Sequence, residues 1–202
     1  MMSAFEITNR SQTDISEGRF CMNRPLAEIL KYHCLTDDLF SNTTKVLDYG
    51  LGDGTTCLDI KTAHPQLQVD GLGLTHLSDD RGTLLCSSGI NVIMHDANTQ
   101  LPADMNNYDI IFDTYGPVSY SLTPLRALYN AICALKIGGC FYCYCTWGER
   151  ILTLCRFLEN IPGIQTLCPA ADRLVIMRMG DIRLDENTDL DIKFYYRNGI
   201  IE

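Results

Sequence analysis

The chain has 202 residues, of which 16 are basic and 25 acidic, so its formal net charge is −9 with neutral histidines. This length and a hydrophobic content of 46% suit one globular domain with a substantial core, and they exclude intrinsic disorder for most of the chain. The acidic balance excludes the broad basic face that duplex nucleic acid or an anionic membrane requires.

The sequence indicates a soluble protein of a reducing compartment. Its start has no basic segment followed by an apolar run, and no stretch of about 18 consecutive apolar residues occurs. The ten cysteines belong to a chain long enough to fold without disulfides, and several lie inside apolar runs. We therefore expect a cytoplasmic protein with reduced thiols.

Predicted helices and strands alternate along most of the chain. Apolar spacing, proline and glycine predict helices over 26–34, 55–64, 78–88, 124–135 and 149–158. Strands are predicted over 45–49, 68–74, 91–95, 108–112 and 140–145, then over 164–167, 173–179 and 192–196 without intervening helices. This order predicts an α/β fold with a doubly wound, mostly parallel sheet, helices on both faces and an antiparallel C-terminal edge.

We expect one domain over 1–202, because no linker is long enough to divide the chain. Its parts are an N-terminal lead-in and helix over 1–40, a central core over 45–145, and a C-terminal helix with antiparallel strands over 146–202. A ligand of such a sheet binds at the carboxyl ends of the strands.

A glycine-rich loop follows the first strand, where residues 46–55 read VLDYGLGDGT. Alternate glycines allow a sharp turn and a close approach of the ligand, and the following helix presents free N–H groups. Asp48, two residues before Gly50, is suited to fix the loop and a cationic ligand. The third glycine, Gly54, comes one residue too early for G-x-G-x-x-G, which disfavours a nicotinamide-dependent oxidoreductase.

This segment resembles the S-adenosylmethionine (SAM) loop of class I, Rossmann-like methyltransferases. Three further segments repeat the order and spacing of that family: Asp96-Ala97 followed by Leu101-Pro102, YDII over 108–111, and LKIGG over 135–139 before an aromatic strand. The resemblance covers about residues 45–145 and extends to a final hairpin. It implies a seven-stranded sheet whose last strand is antiparallel, with SAM lying across the ends of the first four strands.

The resemblance also implies the cofactor contacts. Asp48 and the three loop glycines would hold the methionine end, Asp96 would accept from the adenine amine, and the Ala97 backbone would contact a ring nitrogen. The family usually ends its second strand with a ribose-binding acid, but Gly73 stands there, and Thr75 or His76 is the candidate substitute. The implied set is Asp48, Gly50, Gly52, Gly54, Gly73, Leu74, Thr75, Asp96, Ala97 and Asp113.

Asp113, Tyr115, Tyr120 and Trp147 lie near strand ends, where this fold places the transferred methyl group and its acceptor. Asp113, Tyr115 and Tyr120 are the catalytic candidates, and the alternative for each aromatic is simple packing. Residues 113–117 read DTYGP and contain no Asn-Pro-Pro-Tyr tetrad, which argues against methylation of nucleobase amines. No second Asp-Asn pair follows Asp113, so no metal is predicted.

Three cysteines and two histidines are interpreted as structural residues. Cys143 and Cys145 share one face of a strand while Cys140 faces away, a spacing unsuited to zinc. His33 is expected in the core or at its rim, and His95 lies at a strand end beside Asp96. An acidic segment over 185–191 is expected to be a solvated turn.

The sequence therefore predicts a SAM-dependent methyltransferase acting on a small molecule, because no added recognition domain or basic surface indicates a polymer. In-line displacement from a sulfonium depends mainly on positioning the two reactants. A protein that keeps the fold as a non-catalytic cofactor sensor or scaffold is the alternative from a different class. The acceptor and the oligomeric state are not assigned.

Overall fold

A seven-stranded sheet with the order β3-β2-β1-β4-β5-β7-β6 organises the chain. This computed structural model describes residues 24–74, 77–121, 123–145, 148–159, 161–184, 188–192, 196–197 and 200–201. The strands are β1 (Lys45–Tyr49), β2 (Gln68–Gly73), β3 (Ile90–Met94), β4 (Tyr108–Thr114), β5 (Leu135–Tyr144), β6 (Ile164–Ala170) and β7 (Arg173–Arg178). Strands β1 to β5 pair in parallel, and β7 is antiparallel to both β5 and β6, so the predicted fold class is confirmed.

Helices cover both faces of this sheet. They are α1 (Leu26–His33), α2 (Thr55–Ala63), α3 (Asp79–Ser87), α4 (Pro117–Tyr120), α5 (Pro124–Ala134) and α6 (Gly148–Leu158), with a 3-10 turn over Asp37–Phe40. One buried cluster joins α1, α2 and α3 to side chains such as Val46 and Phe112, and the other joins α5 and α6 to side chains such as Leu47 and Phe141. None of the described helices is long and apolar enough to span a bilayer.

The antiparallel strand β7 lies inside the sheet, and β6 forms the edge. Leu174 and Ile176 on β7 are fully buried, whereas most of β6 is exposed or half-buried. Pro169 in β6 has no N–H to donate to a ladder, which confines that strand to an edge.

The glycine pair after α5 does not separate helix from strand as predicted. Strand β5 begins at Leu135, directly after α5, and Leu135 pairs with Tyr108 while Cys140 pairs with Ile110. Residues 136–139 therefore form a bulge. Gly139 belongs there because a Cβ would lie 2.6 Å from the carbonyl oxygen of Tyr108.

Two other predicted strands have different bounds. Strand β4 continues through Thr114, so Asp113 lies within the strand rather than after it. The strand predicted over 192–196 is wrong at Ile192, which is not in a strand, and 193–195 lie outside the described residues. Tyr196–Arg197 instead pairs with Ile200–Ile201 in a separate ribbon of two strands, β8 and β9.

Candidate functional site

The glycine loop lies between the ends of β2 and β4. Gly50, Gly52 and Gly54 all have positive φ, at 121°, 56° and 79°. The Gly50 and Leu51 N–H groups donate to the Leu72 carbonyl over 3.1 and 2.7 Å, which ties the loop to β2. A Cβ on Gly50 would lie 2.7 Å from the Cα of Gly116, so this position requires glycine for close approach as well as for its backbone angle.

Two carboxylates are buried beneath this loop. Asp48 is 1% exposed, and its Oδ2 accepts a long bond from the Cys57 thiol over 3.9 Å. Burial raises the pKa of Asp48 to about 6, although the Arg24 guanidinium opposes the rise. At neutral pH most of Asp48 is therefore ionised, and a cationic ligand would stabilise this buried anion.

Asp113 has a different environment. It is fully buried, and its two oxygens accept from the N–H groups of Gly116 over 2.8 Å and Val118 over 2.9 Å. Burial raises the pKa of Asp113 to about 7, while these two backbone donors and Arg24 oppose the rise. The carboxylate thus holds the turn that leads from β4 into α4.

Arg24 is a candidate site residue that the sequence reasoning missed. It is 5% exposed, its guanidinium donates to the Gly50 carbonyl, and its own carbonyl accepts from the Thr56 hydroxyl over 2.7 Å. Its Nε is buried with no hydrogen-bond partner among the described residues. Nothing in the sequence around Arg24 indicates that its side chain reaches Gly50, 26 residues later.

Asp96 and Ala97 begin the loop after β3, on the same edge of the sheet. The His95 N–H donates to the Gly73 carbonyl over 2.9 Å, which places this loop beside the end of β2. Asp96 is exposed, and its Oδ1 accepts from the backbone and side-chain nitrogens of Asn98, each over 2.9 Å. The Ala97 carbonyl accepts from Tyr49 and Asn130, so its position is set by the core.

The end of β2 is open where the ribose-binding acid is absent. A Cβ on Gly73 would meet nothing closer than the Met94 methyl carbon at 3.6 Å, so packing does not enforce glycine here. Leu74 follows with 62% of its surface exposed. Thr75 and His76, the proposed substitutes, lie outside the described residues.

Of the aromatic candidates, Tyr115 has the more unusual geometry. Its φ of 53° is in the left-handed region, and its N–H donates to the Tyr144 carbonyl over 3.0 Å. Tyr120, the last residue of α4, is 47% exposed, and burial of the rest raises the pKa of its hydroxyl. Trp147 lies outside the described residues.

Packing or local contacts account for the cysteines and histidines named in the sequence analysis. Cys143 and Cys145 are buried in the cluster with α5 and α6, and Cys140 packs against the opposite cluster. His33 is 7% exposed among aromatic rings, and His95 contacts the Gln100 carbonyl and Thr99 hydroxyl of its own loop. No group of three metal-ligating side chains occurs in the part of the chain that the structure describes.

The backbone as a whole is similar to known methyltransferase structures. The plantazolicin methyltransferase BamL, solved with S-adenosylhomocysteine (SAH), matches with TM-score 0.60 and 11% identity over 87% of this chain and 90% of its own. A putative caffeoyl-CoA O-methyltransferase from Staphylococcus aureus matches with TM-score 0.57 and 13% identity over 88% and 93% of the two chains. This chain has the class I methyltransferase fold.

TrmN from Thermus thermophilus matches with TM-score 0.55 and 19% identity over 76% of this chain, which spans about half of TrmN, 48% of its length. No family model matches the sequence, and no curated protein matches it. At these identities the comparisons support the fold, and the functional assignment depends on the residues of the site itself.

Proposed function

We propose that this chain is a SAM-dependent methyltransferase with a small-molecule acceptor. One observation supports the proposal most strongly. The positive-φ glycine loop, the buried Asp48 carboxylate and the exposed Asp96 carboxylate lie along one edge of the sheet, at the carboxyl ends of β1 and β3. In an open α/β sheet the ligand binds at that edge.

The residues present fit the parts of SAM. Asp48, with its raised pKa, gains most from a cationic α-ammonium group, and Arg24 offers an unused buried N–H to the carboxylate of the same amino acid. Asp96 keeps Oδ2 free of hydrogen bonds from other described residues and can accept from the adenine amine. The site therefore offers one carboxylate and one guanidinium to the amino-acid end of SAM and a carboxylate oxygen to its adenine end, which supports the cofactor assignment.

Bound at this edge, SAM would supply a methyl group on a positively charged sulfur. A lone pair of the acceptor would take the methyl carbon, the sulfur would leave as a neutral thioether, and the acceptor's proton would pass to solvent or a base. This chain's contribution is positioning. Asp113 holds the Gly116–Val118 turn and thereby places Tyr115 at the end of β4, so we assign Asp113 a positioning role.

A small acceptor is supported by the chain itself and by its neighbours. The net charge of −9 offers no broad basic surface for a polyanion. Two of the similar structures are named as a putative caffeoyl-CoA O-methyltransferase and as a plantazolicin methyltransferase solved with an analogue of its desmethyl substrate and SAH.

Calorimetry with SAM, SAH and NAD tests the proposal. We expect binding of SAM and SAH and no binding of NAD, because the loop spacing does not suit a pyrophosphate. Preferential binding of NAD, or no binding of either sulfur compound to folded protein, would refute it.

A non-catalytic cofactor binder is the second candidate, and the open position at Gly73 favours it. Packing leaves room for an acid that is nevertheless absent, and the loss of a charged ribose acceptor weakens binding by about 1.5–3 kcal/mol. SAM affinity in the millimolar range would support this alternative. Micromolar affinity together with SAH release in the presence of an acceptor supports the enzyme.

A further inference from the structure

Three tyrosines from distant parts of the chain form a cluster at the ends of β4 and β5. Tyr32 stacks on Tyr144 with ring centroids 4.6 Å apart and an interplanar angle of 12°. Tyr115 meets Tyr144 edge-on at 5.1 Å and Tyr32 edge-on at 6.5 Å. We call these three residues the tyrosine cluster.

All three members remain half-buried, so part of each ring is accessible. Stacked and edge-on aromatic pairs are favourable beyond the area that they bury, and a further ring can join them by the same geometry. The cluster also lies at the carboxyl edge of the sheet, next to the end of β4 where the acceptor of the proposed reaction would lie.

Backbone strain at Tyr115 indicates a role beyond packing. A bulky residue with φ of 53° is a genuine outlier, and such conformations persist where the surrounding structure enforces them. Here Asp113 binds the Gly116 N–H while the Tyr115 N–H binds the Tyr144 carbonyl, and together they turn the Tyr115 ring toward Tyr32 and Tyr144. A residue that only filled space could adopt an ordinary conformation.

Charges of both signs lie near the cluster. Arg173 pairs with Tyr144 across β5 and β7, but its guanidinium also forms an ion pair with Asp172 over 3.5 Å. These charges therefore select neither a cationic nor an anionic occupant, and the ring faces are the feature that a ligand would contact.

We propose that the tyrosine cluster binds the acceptor through a planar aromatic ring. This inference rests on the proposed function, because the cluster is assigned to the acceptor by its place beside the cofactor edge. It names the substrate class of that site and adds Tyr32 and Tyr144 to the residues that determine specificity.

The test uses a matched pair of probes, 2-naphthol and its saturated analogue decahydro-2-naphthol, with choline as the cationic probe. Affinities are measured by calorimetry or ligand-observed NMR on the full chain, with and without saturating SAH. We expect 2-naphthol to bind at least threefold more tightly than the saturated compound, as one or two aromatic contacts allow, and more tightly than choline.

Variants connect that preference to the cluster. Tyr32→Leu and Tyr115→Leu should each bring the two affinities within about twofold, while Tyr115→Phe, which keeps the ring, should retain the preference. Tyr129→Leu is the control, because Tyr129 is a half-buried tyrosine on α5 that hydrogen-bonds Cys133 away from the cluster. Circular dichroism verifies that each variant is folded.

Four outcomes would overturn the inference: equal binding of the two naphthol probes, a preference unchanged in both leucine variants, tighter binding of choline, or self-association of the chain that Tyr32→Leu abolishes. Separate SAH titrations distinguish this failure from that of the proposed function. If SAH binds and 2-naphthol shows no preference, only the substrate class is wrong. If SAH does not bind, the measurements without SAH still decide whether the cluster takes an aromatic ring.

Discussion

Cofactor affinity should depend on the protonation of Asp48, and Asp48→Asn tests this. Burial raises the pKa of Asp48 to about 6 in the protein without ligand. An α-ammonium ligand binds the ionised carboxylate, so protons and ligand compete. The ionised fraction is about 9% at pH 5 and about 91% at pH 7 for a group of this pKa.

The apparent affinity of a ligand scales with the fraction of protein that is competent to bind it. SAH should therefore bind wild type about tenfold more tightly at pH 7 than at pH 5, equivalent to about 1.4 kcal/mol. In Asp48→Asn this tenfold change should disappear. At pH 7 the variant should also bind about 1.5–3 kcal/mol more weakly than wild type, since it loses a hydrogen bond to a charged acceptor.

Calorimetry with SAH at pH 5, 6 and 7, in buffers of different ionisation enthalpy, measures both the affinity and the protons released. Asp70→Asn is the matched control, because Asp70 is a buried carboxylate on the neighbouring strand β2 whose side chain is already bound by the Tyr108 hydroxyl over 2.6 Å and paired with Lys45 over 3.7 Å. It should keep the wild-type pH dependence. A pH-independent wild-type affinity, or the same tenfold change in Asp48→Asn, would refute the assignment of Asp48 to the ammonium group.

Four further changes test the rest of the site and the fold. Gly52→Val should abolish SAH binding with an unchanged circular dichroism spectrum, because a β-branched residue is strained at φ of 56°; a folded variant of normal affinity would show that the loop is not the site. Asp96→Ala should weaken SAH binding by about 1.5–3 kcal/mol in calorimetry, and Asp104→Ala, further along the same connection between β3 and β4, should not. Gly73→Asp should fold, since there is room for a Cβ, and should leave SAH affinity equal or tighter; a marked loss would place the ribose elsewhere. Burial lowers the pKa of His33 from 6.5 to about 4, so the fold favours its neutral form and the contribution of His33 to stability falls as the pH drops. The free energy of unfolding of wild type minus that of His33→Leu, measured in urea, should therefore fall by about 2 kcal/mol from pH 7 to pH 5.

The sequence alone was sufficient for the order of strands β1 to β7, for the helices between them except α4, and for the loop. Alternating apolar strands and helices, marked by Pro124 at a helix start and by glycines at turns, specify a doubly wound sheet because each signal is local to a few residues. The turn at Gly50, Gly52 and Gly54 is a signal of the same kind, because alternate glycines directly after a strand indicate it and all three adopt positive φ.

Tertiary structure decided where the distant residues meet. The position of β7 between β5 and β6 and the bulge at 136–139 depend on pairing between strands far apart in the chain, which no local pattern records. The same holds for Arg24 beside Gly50, and for Tyr32, Tyr115 and Tyr144 in one cluster. The pKa values of Asp48 and Asp113 were likewise beyond the sequence, because desolvation by the assembled core sets them.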